Sequence, residues 1–203
     1  MPFPTLAAAS AAARLSVLVV AGLGLSGCGI NNIPAYDEAV KAQWAQVQNQ
    51  YQRRADLVPN LVETVKGFAT QERETLQAVV EARAKVGQMQ VDADIIDNPQ
   101  ALQAFEQNQA ALSSALSRLM VVVERYPELK SNQNFLALQS QLEGTENRIS
   151  VARRDYIQAV QAYNTEIRTL PGRIWHSVLY SEMPIRETFE ATAGAEQAPQ
   201  VEF

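Results

Sequence analysis

One histidine, His176, and one cysteine, Cys28, are all the chain offers of the side chains that most often carry catalysis or hold metals. A metal site built on several histidines is excluded, and so is a Ser–His pair away from residue 176. Di-metal helical proteins need Glu-x-x-His pairs, and the sequence has none. A lone cysteine cannot make an intramolecular disulfide framework. Glycine is scarce, with nine residues in 203; no glycine-rich phosphate loop occurs. The formal net charge of −5 comes from interspersed charges of both signs. No basic stripe suits a nucleic-acid backbone, so nucleic acid is not an expected partner. Aromatics make up 7% of the chain, which implies thin core layers. Together these shortages predict a protein without catalysis, resident metal or cofactor.

What is present begins with an address. Arg14 precedes an apolar run, Leu15 to Gly24, that is too short to span a bilayer comfortably. The run closes in Leu25-Ser26-Gly27-Cys28, which resembles a bacterial lipobox. The reading is a signal peptide over 1–27, cleavage before Cys28, and lipidation of that cysteine. Residues 28–35 would then be a lipidated tether. Two or more acyl chains hold a protein stably at a membrane, whereas one binds only marginally. The expected location is a bacterial membrane, lipid-anchored and facing the periplasm or the cell exterior. The alternative is an uncleaved single N-terminal transmembrane helix, and the weak basic region before the run favours it. A free buried cysteine is a third reading, less suited to a residue flanked by Gly27 and Gly29.

The remaining residues, about 175, fit one domain. Alanine, glutamine, glutamate, leucine and arginine dominate, and these are helix formers. Helix A is predicted from about Tyr36 to Ala55, with Tyr36, Val40, Trp44, Val47 and Tyr51 as its apolar stripe. Pro59 has no N–H to donate and is tolerated best near a helix start, so Asp56 to Pro59 is read as a turn. Helix B follows to about Val86, with Leu61, Val65, Phe68, Leu76, Val79, Ala82 and Val86 inward. Gly87 to Pro99 is the main break, and Asn98-Pro99 reads as a cap followed by a first helical residue. Helix C spans about Pro99 to Tyr126, on Leu102, Phe105, Leu112, Leu116, Leu119, Val123 and Tyr126. Helix D carries the clearest seam: Phe135, Leu138, Leu142, Thr145, Ile149, Ala152, Tyr156, Ala159, Tyr163, Ile167 and Leu170 alternate steps of three and four. Folding back at Asp56–Pro59 would give partners to Trp44 and Tyr51. The expected fold is therefore all-α, an antiparallel up-and-down four-helix bundle of long helices over 36–170. Residues 171–190 form a short amphipathic C-terminal segment that either caps the bundle end or touches lipid. Residues 191–203 read as a disordered tail.

Four stretches carry a family resemblance. They are Gln52-Arg53-Arg54-Ala55-Asp56-Leu57-Val58-Pro59-Asn60-Leu61-Val62, Glu124-Arg125-Tyr126-Pro127-Glu128-Leu129-Lys130-Ser131-Asn132, Glu143-Gly144-Thr145-Glu146-Asn147-Arg148-Ile149, and Ala152-Arg153-Arg154-Asp155-Tyr156 with Ala162-Tyr163-Asn164. Their order and spacing resemble the LemA family from about Tyr36 to Leu170. The resemblance implies a helical bundle outside the cytoplasm, tethered at its N-terminus, and implies no particular chemistry. Asp37 and Ile157 depart from it, each standing where the family usually has asparagine after tyrosine. A lipobox-like end also replaces the membrane helix common in the family.

Two constellations follow from the expected topology. Arg53, Arg54, Asp56, Asn60, Glu128, Lys130 and Asn132 would gather at the pole opposite Cys28. Helix capping and turn pinning are the plain reading of that group; a recognition surface for an envelope protein is the other. Within the seam, Glu72 and Gln109 fall at inward positions, and Ser113 and the Thr145–Arg148 stretch sit at similar heights. Glu72, Thr145, Asn147 and Arg148 would form a buried polar layer that fixes helix register. The carboxylate pairs Glu72/Glu74, Glu124/Glu128 and Glu143/Glu146 read as solvated faces or local ion pairs. The functional expectation is a membrane-anchored scaffold or interaction protein, its partner an unidentified envelope protein and its oligomeric state open. The alternative is a carrier or sensor holding a small ligand or peptide between helices.

Overall fold

The computed structural model describes residues 29–88 and 93–189. Cys28, the signal-like segment and the 191–203 tail lie outside the described residues. In chain order the elements are α1 (Asn32–Lys66), α2 (Arg73–Gln88), a 3-10 turn (Ala93–Asp97), α3 (Pro99–Val123), α4 (Pro127–Lys130), α5 (Gln133–Arg168) and α6 (Gly172–Leu179). Among the described residues there is no strand, and the chain is all-helical there.

The turn expected at Asp56–Pro59 does not exist. α1 runs through it without a break for 35 residues, with Pro59 inside. Helices A and B are therefore divided elsewhere, at Gly67–Glu72, where Ala69 N–H donates to Val65 O (2.9 Å) and Glu72 N–H to Ala69 O (3.1 Å). Two physical reasons explain the difference. First, Tyr51, Ala55, Val58, Val62 and Val65 are all buried and alternate steps of four and three across Pro59. The apolar seam that drives packing thus never loses its phase. Second, the proline is exposed, and the hydrogen bond it cannot make is replaced. Ala55 O, four residues before Pro59, accepts from Arg83 Nε of α2 at 3.5 Å. A long-range contact offsets a local defect.

α1 starts at Asn32, not at Tyr36, and Ile33, inside the stretch expected as a tether, is fully buried because it continues the apolar seam one turn back from Asp37. Two other helix starts fall where the sequence places them. Asn98 caps α3 by accepting from Ala101 N–H at 3.1 Å, with Pro99 as first helical residue. Asn132 caps α5 through Asn134 N–H and Phe135 N–H. The α5 seam is buried at Phe135, Leu142, Thr145, Ile149, Ala152, Tyr156, Tyr163 and Ile167, whereas Leu170 is exposed.

α1 and α5 lie antiparallel along their length: Asn32 meets Glu166 at one end, and Arg54 meets Glu146 near the middle. α2 returns beside the second half of α1, and α3 advances again past Trp44, Tyr51 and Arg54. Two apolar clusters result. One holds Val40, Trp44, Tyr51, Phe105, Tyr156 and Tyr163. The other holds Val58, Leu61, Val65, Leu76, Leu112, Leu119 and Phe135.

Pro59→Ala restores the missing N–H and should raise stability by about 1–3 kcal/mol in urea unfolding. Arg83→Ala should destabilise the parent and cost less in the Pro59→Ala background. A lower urea midpoint for Pro59→Ala, or equal Arg83→Ala effects in both backgrounds, would sink this account.

Candidate functional site

Between the two apolar clusters sits a polar layer centred on Arg54, only 1% exposed. Its Nη1 donates to Ser113 Oγ (2.7 Å) and to Glu146 Oε1 (3.0 Å). Its Nη2 donates to Gln109 O (3.1 Å) and Gln109 Oε1 (2.6 Å). Three helices are joined by one guanidinium, whose rigid fork suits several acceptors at fixed angles. Nε finds no protein partner. Tyr51 supports the cation from one turn below, with the Arg54 carbon 5.0 Å from its ring centre.

The polar layer expected around Glu72 is corrected by this arrangement. Moving the turn to Gly67–Glu72 carries Glu72 out of the seam to the bundle end. There its carboxylate accepts from Tyr126 OH (3.0 Å) and pairs with Arg125 (3.1 Å). That hydrogen bond pushes the Tyr126 phenol above its ordinary range. Thr145 is buried, but its hydroxyl donates to Gln141 O of its own helix (2.7 Å). Asn147 and Arg148 are exposed. Gln109 does face the layer, as its spacing predicts, and Ser113 lies at the height expected of it; the residue opposite them is Arg54, and the acid is Glu146.

The seven-residue pole is corrected for the same reason. Arg53, Asp56 and Asn60 are exposed along the uninterrupted α1. Arg53 lies 13 residues before Lys66, about 20 Å below the helix end. Asp56 accepts from Gln52 Nε2 (2.8 Å), and the Asn60 carbonyl accepts from Thr64 (2.8 Å). Glu128, Lys130 and Asn132 do sit together at the α3–α5 connection, where Lys130 pairs with Glu124 and Asn132 serves as a cap. The plain reading, capping and pinning, holds for Asn132.

A second charged cluster has no counterpart in the helical pattern. After α6 and a turn at 181–183 the chain runs back over the bundle as a strap, residues 184–189. Arg186, 6% exposed, pairs with Asp37 of α1 and with Asp97 of the 3-10 turn. Lys41 also reaches Asp37 (2.9 Å), and this hydrogen-bonded carboxylate raises the Lys41 pKa. Asn164 brackets the Arg186 backbone, donating to its carbonyl (2.9 Å) and accepting from its N–H (3.0 Å). Tyr163 OH donates to Pro184 O (3.0 Å), and Tyr156 OH to Glu187 O (2.7 Å). Phe189 ends the strap, 5.3 Å from the Tyr156 ring and under Arg153 at 4.0 Å. The one signal in the sequence is Asp37 itself. Val40, Trp44, Val47 and Tyr51 extend backward by helical spacing to 37 and 33, so a carboxylate stands in the apolar seam and requires a cation.

The described residues contain no group of three or more His, Cys, Asp or Glu positioned to hold a metal ion. Apart from Arg54 Nε, the polar side-chain groups named in the two clusters bond one another, which suits register and closure. Burial pushes the Tyr163 phenol from an ordinary 10 up to about 12, with the Asp37 charge adding to it, and raises Tyr156 as well.

Removing Glu146 strands a buried cation, whereas replacing Arg54 by an apolar chain leaves an acid that can turn to solvent. Losing Arg54 also leaves the buried Gln109 amide unpaired, so the comparison removes both: Glu146→Ala should cost about 1–3 kcal/mol and exceed Arg54→Met/Gln109→Leu, as measured by denaturant unfolding. The reverse order would refute the layer's electrostatics. For Tyr163 the unfolded chain loses its proton first, so stability is fully present below pH 10 and falls as pH rises toward about 12. Tyr163→Phe should flatten that alkaline loss in urea midpoints read against pH. Parallel slopes for parent and variant would contradict it.

Comparison with known proteins bears on this geometry. Two curated relatives, Magnetosome protein MamQ 2 and Magnetosome protein MamQ 1 of Paramagnetospirillum magneticum (strain ATCC 700264 / AMB-1), are each 41% identical over 58 residues, 29% of this chain. The match spans about a fifth of those relatives' length, 21%. The LemA family model matches residues 43–203, which includes Arg54, Gln109, Ser113 and Glu146 of the central layer and Arg153, Tyr156, Tyr163, Asn164 and Arg186 around the strap. With that match covering most of its length, the chain belongs to the LemA family.

Proposed function

We propose that the protein is a membrane-anchored, non-enzymatic helical scaffold of the bacterial cell envelope that presents its surface to an envelope protein. In this reading α1, α2, α3 and α5 work as an up-down-up-down bundle, and a lipid on Cys28 is the tether. The observation that carries the proposal is the filled interior. Arg54 bonds Ser113, Gln109 and Glu146 where a ligand cavity between helices would have to open. A carrier needs a concave site with a few unengaged polar groups. Among the described residues, clefts such as the one lined by Gln48, Tyr51, Val86 and Gln109 are small, 130–330 Å³, and open to solvent on one side. No described helix is long and apolar enough to cross a membrane, so attachment in this reading rests on the N-terminal segment.

Two measurements test it. Mass spectrometry of the membrane fraction should find Cys28 as an acylated N-terminal residue, and a labelling enzyme fused at the C-terminus should mark envelope proteins. An intact Met1 peptide from the purified protein ends the lipid-anchor part. A small molecule that co-purifies at one equivalent ends the scaffold part in favour of a carrier.

A further inference from the structure

The end of the bundle that receives the N-terminal segment also carries an unpartnered apolar stripe. Asn32 N–H donates to Gly29 O (3.1 Å), and Asn32 Nδ2 to Glu166 Oε1 (3.1 Å). A side chain placed at Gly29 would lie 3.6 Å from Pro171 Cγ. The chain preceding residue 29 therefore joins the fold beside the α5–α6 turn. Ile174 and Val178 stand four residues apart on one face of α6, and Leu170 lies in the turn just before that helix. They are 51%, 69% and 73% exposed, and Leu179 next to them is 53% exposed. The other face is fixed. Trp175 packs on the apolar cluster, and His176 Nε2 lies 2.9 Å from Met183 O. Gly172 is pressed so close to α5 that an added Cβ would stand 2.2 Å from Glu166 O. Hence α6 cannot roll to hide its apolar edge. Arg168 and Arg173, both exposed, flank the stripe, as basic residues do on helices that lie in a lipid interface.

We infer that the exposed face of α6, with Leu170, rests on the lipid surface and sets the bundle's orientation to the membrane. The inference rests on the anchored reading above, and its occupant follows from where the chain goes. The 28 residues before Gly29 include the apolar run Leu15–Gly24 and Cys28. An anchor there brings the bilayer to this end of the molecule and to no other. One shallow apolar helix face adds to a lipid tether in the way a second membrane signal does.

The test uses the full chain on vesicles of phosphatidylethanolamine and phosphatidylglycerol. Val178→Cys, and Val121→Cys as a control at an exposed site toward the far end of α3, are labelled with an impermeant maleimide. Labelling is read by peptide mapping so that Cys28 does not interfere. Vesicles should slow labelling of Val178→Cys about tenfold, the change expected when a side chain moves from water into the acyl boundary, and leave Val121→Cys unchanged. Equal labelling at both sites on a chain that floats with vesicles overturns the inference and leaves the anchor standing. A chain that does not float overturns both. Protection of Val178→Cys already in buffer means that another segment or a second copy covers the stripe, and overturns it too.

Discussion

A single buried guanidinium fixes the register of three long helices. Arg54 lies between two apolar clusters, and its four Nη hydrogens satisfy Ser113, Gln109 and Glu146 on α3 and α5. A slide of any one helix by a turn would leave a cation or an amide buried without a partner, and apolar packing recovered elsewhere would not offset that cost. Aliphatic seams alone tolerate such slides, because one leucine packs much like another. The cation makes the alternatives costly, as polar seam residues do in coiled coils. The acid is half in water, which limits the desolvation penalty that makes fully buried ion pairs poor stabilisers.

The family stretches acquire meaning as partners of one another. Arg54 in the first meets Glu146 in the third. Tyr126 and Arg125 in the second hold Glu72 at the α1–α2 turn. Arg153, Tyr156, Tyr163 and Asn164 in the fourth hold the strap. They are distant in sequence and adjacent in space, and each joins elements whose helical propensity alone would leave them independent. Asp37, a departure from the family pattern, lies in the seam against Arg186 and Lys41. Its negative charge there is matched by two cations.

The molecule is polarised along its length. One end holds Gly29, the α5–α6 turn and the apolar edge of α6. The other holds the Gly67–Glu72 turn and α4, with Glu128, Lys130 and Asn132. α1 alone spans about 50 Å between them at roughly 1.5 Å per residue. A cleft of 330 Å³ at the far end, lined by Phe68, Arg125, Tyr126 and Leu129, lies where two connections meet. A protein tethered at the near end would present this face outward.

The amino-acid order by itself determined the all-helical class, the seams of α3 and α5, and the caps at Asn98 and Asn132. These are local: periodicity and capping act within one or two turns. It also determined that Gln109 lies inward. Tertiary structure decided the rest. Pro59 reads as a helix boundary because a lost backbone hydrogen bond is visible in sequence, whereas its replacement by Arg83 from another helix is not. That one misplaced turn shifts the heights of everything before it. Local pattern therefore puts Glu72 where Arg54 stands, and puts the Arg53–Asn60 stretch at an end when it lies along a shaft. The strap is invisible for a related reason. An extended segment has no period, and its anchors, Asp37, Asp97, Asn164 and Tyr163, lie 21 to 149 residues away in sequence. Local pattern sets which faces turn inward; only long-range electrostatics and hydrogen bonding decide which charges meet there.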